Sequence, residues 1–119
     1  MVTPGCQGKA PERGQEESEM IIVTGAIRFG NGEIERLRSA LVRNIESSRR
    51  EGGCDAYAYA VDLIEPNLLR IMEMWRDEEA LNVHSMRVEE LMAPLAGAKV
   101  EAISVTAYEA KYLRNIVGE

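Results

Sequence analysis

The segment from Leu69 to His84 constrains the fold most, because it joins a strand pattern directly to a helix pattern. As far as Trp75, its side chains alternate between two sets, which is typical of a strand whose two faces have different surroundings. Asp77 then offers a carboxylate that can accept from the first backbone N–H groups of a helix. Apolar residues follow at helical spacing as far as Leu95. The only tryptophan and the only histidine are therefore predicted to lie in one region.

The rest of the chain supplies three further strands and one further helix. We predict strands at Met20–Phe29, Cys54–Ile64, Leu69–Trp75 and Lys99–Glu109, and helices at Glu33–Arg50 and from Asp77 to about Pro94. In the second strand, alternation places Tyr57, Tyr59, Val61 and Leu63 on one face and Cys54 on the other. The order β-α-β-β-α-β predicts an α+β, ferredoxin-like antiparallel sheet with two helices on one face.

Three segments differ in composition and predict the domain organisation. Residues 1–19 are rich in Gly, Pro and Glu and poor in large apolar residues, so we expect a disordered N-terminal tail. Residues 20–110 form the domain. Residues 111–119 form a C-terminal tail that keeps four apolar side chains. The strands are apolar on both faces, so we expect a homodimer in which a second copy covers the sheet face away from the helices and receives this tail.

The charge and composition of the chain exclude several classes of function. A net charge of −6 argues against binding to nucleic acid, whose phosphates require a basic surface. No apolar run approaches the roughly 20 residues that cross a bilayer, and no signal-peptide pattern is present, so a cytoplasmic protein is expected. One histidine and two distant cysteines, Cys6 and Cys54, provide no recognisable set of metal ligands, and the cysteines are expected to be free thiols.

The residues from Glu73 to Leu81 (Glu-Met-Trp-Arg-Asp-Glu-Glu-Ala-Leu), followed by His84, resemble the antibiotic-biosynthesis monooxygenase family of dimeric α+β barrels. The resemblance covers about Met20 to Glu109. The family includes cofactor-free quinol and anthrone oxygenases and haem-degrading relatives. The resemblance implies a pocket between sheet and helices with Trp75 and His84 in its lining. It also implies a reaction of a small aromatic substrate with O₂ that needs no cofactor.

Three residues are candidates for catalysis, and each also has a structural interpretation. His84 can act as a base near neutral pH, or it can pack and hydrogen-bond locally in its helix. Trp75 can line the pocket, or it can be a core residue at a strand end. Glu73, if it is buried beside Trp75, can act as a base with a raised pKa, or it can pair with an arginine such as Arg28 or Arg70.

Four residues are candidates for binding the substrate. Tyr57 and Tyr59 share a strand face and can donate hydrogen bonds to a quinone oxygen, although tyrosines are also common on half-buried strands. Arg28 and Met74 are the other two candidates, and a methionine at such a position can equally provide adaptable packing.

Three functions remain open at this point. The first is a cofactor-independent monooxygenase that oxidises a small hydroquinone or an anthrone-like substrate. The second is a non-oxidative isomerase or decarboxylase of the same superfamily. The third is a dimer that binds a small ligand without turnover. Loss of activity without O₂ distinguishes the first from the second, and tight binding without product indicates the third.

Overall fold

The computed structural model describes residues 20–118, so the expected disorder of residues 1–19 lies outside the described part of the chain. Its strands and helices are β1 (Met20–Phe29), α1 (Glu33–Arg49), β2 (Cys54–Val61), β3 (Leu68–Trp75), α2 (Glu78–Ser85), α3 (Val88–Met92), a 3₁₀ turn (Ala93–Leu95) and β4 (Val100–Ala110). The four predicted strands and the first helix all begin within one residue of their predicted starts.

The strands form one sheet in the order β2-β3-β1-β4, and every neighbouring pair is antiparallel. This is the order of a ferredoxin-like unit, and the predicted fold class is confirmed. Within residues 20–118 the sheet is open, with β2 and β4 at its edges, and it is not closed into a barrel. Residues 111–118, after β4, contain neither helix nor strand.

The core lies between one face of the sheet and the helices. One cluster of buried residues surrounds Trp75 and includes Ile21 and Tyr57. The other surrounds Phe29 and includes Leu37 of α1. Odd-numbered residues of β1 and β3 point to this face, as the alternation of strand side chains requires.

The second predicted helix is not continuous. Helix α2 ends at Ser85, and α3 begins only at Val88. The apolar spacing that predicted one helix continues across this break, so periodicity alone could not detect it. The N-cap was predicted correctly, because the carboxylate of Asp77 accepts from the backbone N–H of Ala80 at 2.9 Å.

Two details of the second strand were predicted incorrectly. A register shift between Cys54 and Ala56 places Cys54 in the same buried cluster as Tyr57 rather than on the opposite face. The strand also ends at Val61, because the side chain of Asp62 accepts from the backbone N–H of Ile64 and so forms a turn. Leu63, which was expected on the tyrosine face, is fully exposed.

Candidate functional site at the polar end of an apolar cavity

A cavity of about 280 Å³ lies between the sheet and the helices. Most of its lining is aliphatic and comes from β1, β3, α3 and β4. Its polar lining residues are Tyr57, Tyr59, Glu73 and His84. These four come from β2, β3 and α2, so the hairpin and the helix that follows it bring them together. The sequence analysis named all four as candidates.

The Trp75 side chain has no exposed surface and contacts two of these residues, Glu73 and His84. Its indole Nε1 donates to Glu73 Oε1 at 2.8 Å, and its ring centroid lies 4.7 Å from that of His84. Trp75 does not line the cavity, in contrast to its expected place in the pocket wall. Because Glu73 and Trp75 are two residues apart in a strand, they share a face, and this spacing makes their hydrogen bond possible.

Burial raises the pKa of Glu73, and the hydrogen bond from Trp75 and the charge of His84 oppose that rise. Among residues 20–118, Glu73 forms no ion pair with an arginine, although one interpretation expected such a pair. Instead, Arg28 forms an exposed ion pair with Glu65 at 2.8 Å, and Arg70 pairs with Asp62 at 3.0 Å. Glu73 is therefore a buried carboxyl group that faces the cavity.

His84 is buried and forms a short contact with a carboxylate from outside the cavity. Its Nδ1 lies 2.7 Å from Oε2 of Glu51, and the same oxygen accepts from Arg87 Nη1 at 2.7 Å. The ring's second nitrogen, Nε2, has no hydrogen-bond partner among residues 20–118. Nε2 is thus the ring nitrogen available to a molecule in the cavity.

The two tyrosines form a hydroxyl pair at the same site. The Tyr57 and Tyr59 oxygens are 3.0 Å apart, and the Tyr57 ring centroid lies 5.4 Å from that of His84. Burial raises the pKa of both hydroxyls, so both keep their protons at neutral pH and can donate hydrogen bonds.

Two candidate substrate-binding residues lie away from this cavity. Met74 is on the opposite face of β3 from Glu73 and pairs in register with Ile22 and Ala56. Arg28 is on the same outer face, where it pairs with Glu65, and neither residue is in the cavity lining. Strand alternation explains both positions, because cavity-facing residues of β1 and β3 are odd-numbered.

The sequence analysis did not identify Glu51 or Arg87. Both lie near element ends, and each joins the site through a residue distant in the chain. One signal was available for Glu51, because an acidic residue just beyond the end of α1 is unfavourable with the negative end of the helix dipole. Such a violation of a local rule is expected mainly at functional positions.

In the part of the chain that the structure describes, no three His, Cys, Asp or Glu side chains come close enough together to hold a metal ion. None of the helices described between residues 20 and 118 has the length and apolar character needed to cross a bilayer.

Solved structures resemble this chain over most of its length. A Deinococcus radiodurans protein named as an antibiotic biosynthesis monooxygenase is 30% identical, with a TM-score of 0.75, covering 82% of this chain and 99% of that one. A Pseudomonas aeruginosa protein is 25% identical, with a TM-score of 0.68, covering 80% and 97%. A conserved Methanosarcina mazei protein, at 21% identity and a TM-score of 0.71, covers 81% and 97% and shows the fold alone. No curated protein matches the chain.

The family model of the antibiotic biosynthesis monooxygenases matches residues 20–88. This match covers more than half of the chain and contains every polar residue of the cavity lining, together with Glu51, Trp75 and Arg87. The Deinococcus radiodurans structure supports the same assignment at 30% identity. The chain therefore belongs to the antibiotic biosynthesis monooxygenase family.

Proposed function

We propose that the protein is a cofactor-independent monooxygenase that oxidises a small aromatic hydroquinone or anthrone-like substrate with O₂. Family membership supports a general monooxygenase role. The observation that supports the specific proposal is the position of His84, whose ring lines a largely apolar cavity and whose Nε2 has no hydrogen-bond partner among residues 20–118. An aromatic ring fits the aliphatic walls, and its hydroxyl group meets the polar residues.

The proposed reaction begins with removal of a proton from the substrate hydroxyl by His84 Nε2. The electron-rich anion that results can pass an electron to O₂ directly. One oxygen atom then enters the substrate and the other leaves as water. The two electrons needed to form water come from the substrate, which ends as a hydroxyquinone or, from an anthrone, as an anthraquinone.

The remaining polar residues orient the substrate and stabilise the negative charge of its anion. One of the Tyr57 and Tyr59 hydroxyl groups donates to the other, which leaves one hydroxyl hydrogen of the pair for a second substrate oxygen, and Glu73 is the second polar contact on the His84 side. The aliphatic walls exclude water, which strengthens these interactions. A cavity of about 280 Å³ is just below the range of most ligand pockets, about 300–1,000 Å³, so the substrate is small.

The homodimer belongs to the same proposal. The outer face of the sheet carries the exposed side chains of Met72 and Tyr108, and β4 exposes Ile103 and Val105 beside the cavity. Residues 111–118 add four further exposed apolar side chains. A single domain of this size rarely leaves so much apolar surface in water. A second copy placed on the outer sheet face covers Met72 and Tyr108 by symmetry.

An oxygen-electrode screen with hydroquinones and anthrones tests the proposed function. We expect O₂ uptake that matches product formation and stops under anaerobic conditions. The His84→Ala variant should lose about 10²- to 10⁴-fold in kcat/KM, which is the usual contribution of a general base. Val83→Ala, on the exposed side of the same helix, is the matched control and should keep full activity.

Three results would contradict this proposal. Conversion of a substrate without O₂ would indicate an isomerase or decarboxylase. Tight binding of the aromatic compounds without any product would indicate a ligand-binding protein. A His84→Ala variant as active as Val83→Ala would remove the histidine from the mechanism and leave Glu73 or a tyrosine as the base.

A further inference from the structure

Glu51 connects three helices at the point where His84 faces the cavity. It follows the C-terminal end of α1, and its Oε2 lies 2.7 Å from His84 Nδ1 in α2. The same oxygen accepts from Arg87, the N-cap residue of α3, at 2.7 Å. Arg87 also donates to Ser47 Oγ at 3.1 Å. The carboxylate is therefore held from two sides and points one oxygen at the ring.

This placement costs stability in two ways. Oε1 of Glu51 is buried and has no hydrogen-bond partner among residues 20–118, and a buried oxygen without a partner is unfavourable. The negative charge also lies beyond the C-terminal end of α1, where the helix dipole disfavours it. A residue that served only to stabilise the fold would not combine these two costs. Glu51 is therefore better explained by its effect on His84.

We propose that Glu51 is the positioning residue of the site, which fixes the His84 ring with its hydrogen on Nδ1 and leaves Nε2 free to accept the substrate proton. This inference rests on the proposed function. An ionised carboxylate can only accept hydrogen bonds, so the nitrogen that contacts it must be the donor. In neutral imidazole the other nitrogen is then an acceptor. Arg87 keeps the carboxylate in place.

The same contact stabilises the product of the proton transfer. When Nε2 takes the proton, the ring becomes a cation whose Nδ1–H still donates to Glu51, so the ion pair strengthens as the substrate anion forms. The other groups near the ring are Glu73 on β3, Tyr57 on β2 and Arg87 on α3. Glu73 forms no hydrogen bond with the ring in the described part of the chain, and its Oε1 accepts from Trp75.

Nitrogen-15 NMR of the untagged protein tests the proposal directly, because the chain contains one histidine and gives one set of imidazole signals. At neutral pH the wild type should show the hydrogen on Nδ1. The Glu51→Met variant, which keeps side-chain length and removes the acceptor, should show a mixture of the two tautomers. Glu90→Gln is the control, since it changes another carboxylate bound to Arg87 without touching the ring. It should match the wild type.

Kinetics provide the second readout. Glu51→Met should lower kcat about 10²-fold with little change in KM, at the lower end of what a general base contributes, and Glu51→Asp should restore part of the rate. A wild-type ring with its hydrogen on Nε2 would overturn the proposal, and this measurement needs no variant. Full kcat in a folded Glu51→Met protein would also overturn it. If no aromatic compound consumes O₂, the proposed function fails, whereas the tautomer measurement still decides the role of Glu51.

Discussion

The buried environment of Glu73 changes the acid–base chemistry of its carboxyl group. Burial raises its pKa in the folded protein above the ordinary value, 4.5, of an exposed glutamate. A raised folded-state pKa means that the native state favours the protonated form. The contribution of Glu73 to stability is therefore fully present below the unfolded pKa and is lost as the pH rises through the folded one.

Glu73→Gln should for this reason become more favourable as the pH increases. Glutamine keeps an oxygen that can accept from Trp75 but carries no charge to desolvate. We expect the melting temperature of the variant, relative to wild type, to rise between pH 4 and pH 7. Glu46→Gln, an exposed position on α1, is the control and should show no such trend. A melting-temperature difference that stays constant between pH 4 and pH 7 would show that burial does not destabilise the ionised form of Glu73.

At the residue scale, the sequence predicted the positions of those side chains whose direction follows from strand alternation or helical spacing. Tyr57 and Tyr59 were placed together correctly because a strand repeats every two residues. Glu51 could not be paired with His84 in this way, because the two are 33 residues apart and meet only after three helices have packed. Arg28 was considered as a partner of Glu73, but the two residues lie on opposite faces of the sheet, and only the folded turn shows that Arg28 pairs with Glu65.

At the scale of elements, the close contact between β1 and β4 depends on a glycine. Gly25 lies opposite Val105, and a Cβ at this position would clash with the backbone oxygen of Ser104 and lie 2.8 Å from Val105 Cα. The contact is with backbone, which cannot move aside as a flexible side chain can. Any side chain here must push β4 away from the sheet.

Gly25→Ala should therefore reduce the free energy of unfolding by about 1–3 kcal/mol, the usual cost of overpacking. Urea denaturation followed by circular dichroism measures this. Gly52→Ala is the matched control, because a Cβ there meets no atom within 4 Å. Equal stability of the two variants would mean that β4 can shift without cost.

Element boundaries were predicted well where a local signal marks them and poorly elsewhere. Asp77 marks the start of α2 by its own hydrogen bond. The break between α2 and α3 has no glycine or proline to mark it, and the apolar spacing continues through it. The register shift next to Cys54 likewise has no signal in the sequence, because it is determined by the pairing of β2 with β3.

For the whole molecule, the proposed homodimer predicts different effects from two similarly exposed apolar residues. Met72, on the outer face of the sheet, is 41% exposed, and Val42, on α1, is 43% exposed. Met72→Lys should place a charge in the interface and dissociate the dimer, whereas Val42→Lys should leave it intact. Sedimentation velocity at micromolar concentration distinguishes these outcomes. A wild-type protein that sediments as a folded monomer would rule out the dimer.

The close contact between the Trp75 and His84 rings gives the molecule an intrinsic fluorescent reporter. The chain contains a single indole, and its ring centroid is 4.7 Å from that of the histidine. Indole fluorescence responds to the polarity and charge of its immediate surroundings. All of the tryptophan emission therefore originates beside the imidazole, so the filling of the cavity and the charging of that ring can be followed in solution without any attached dye.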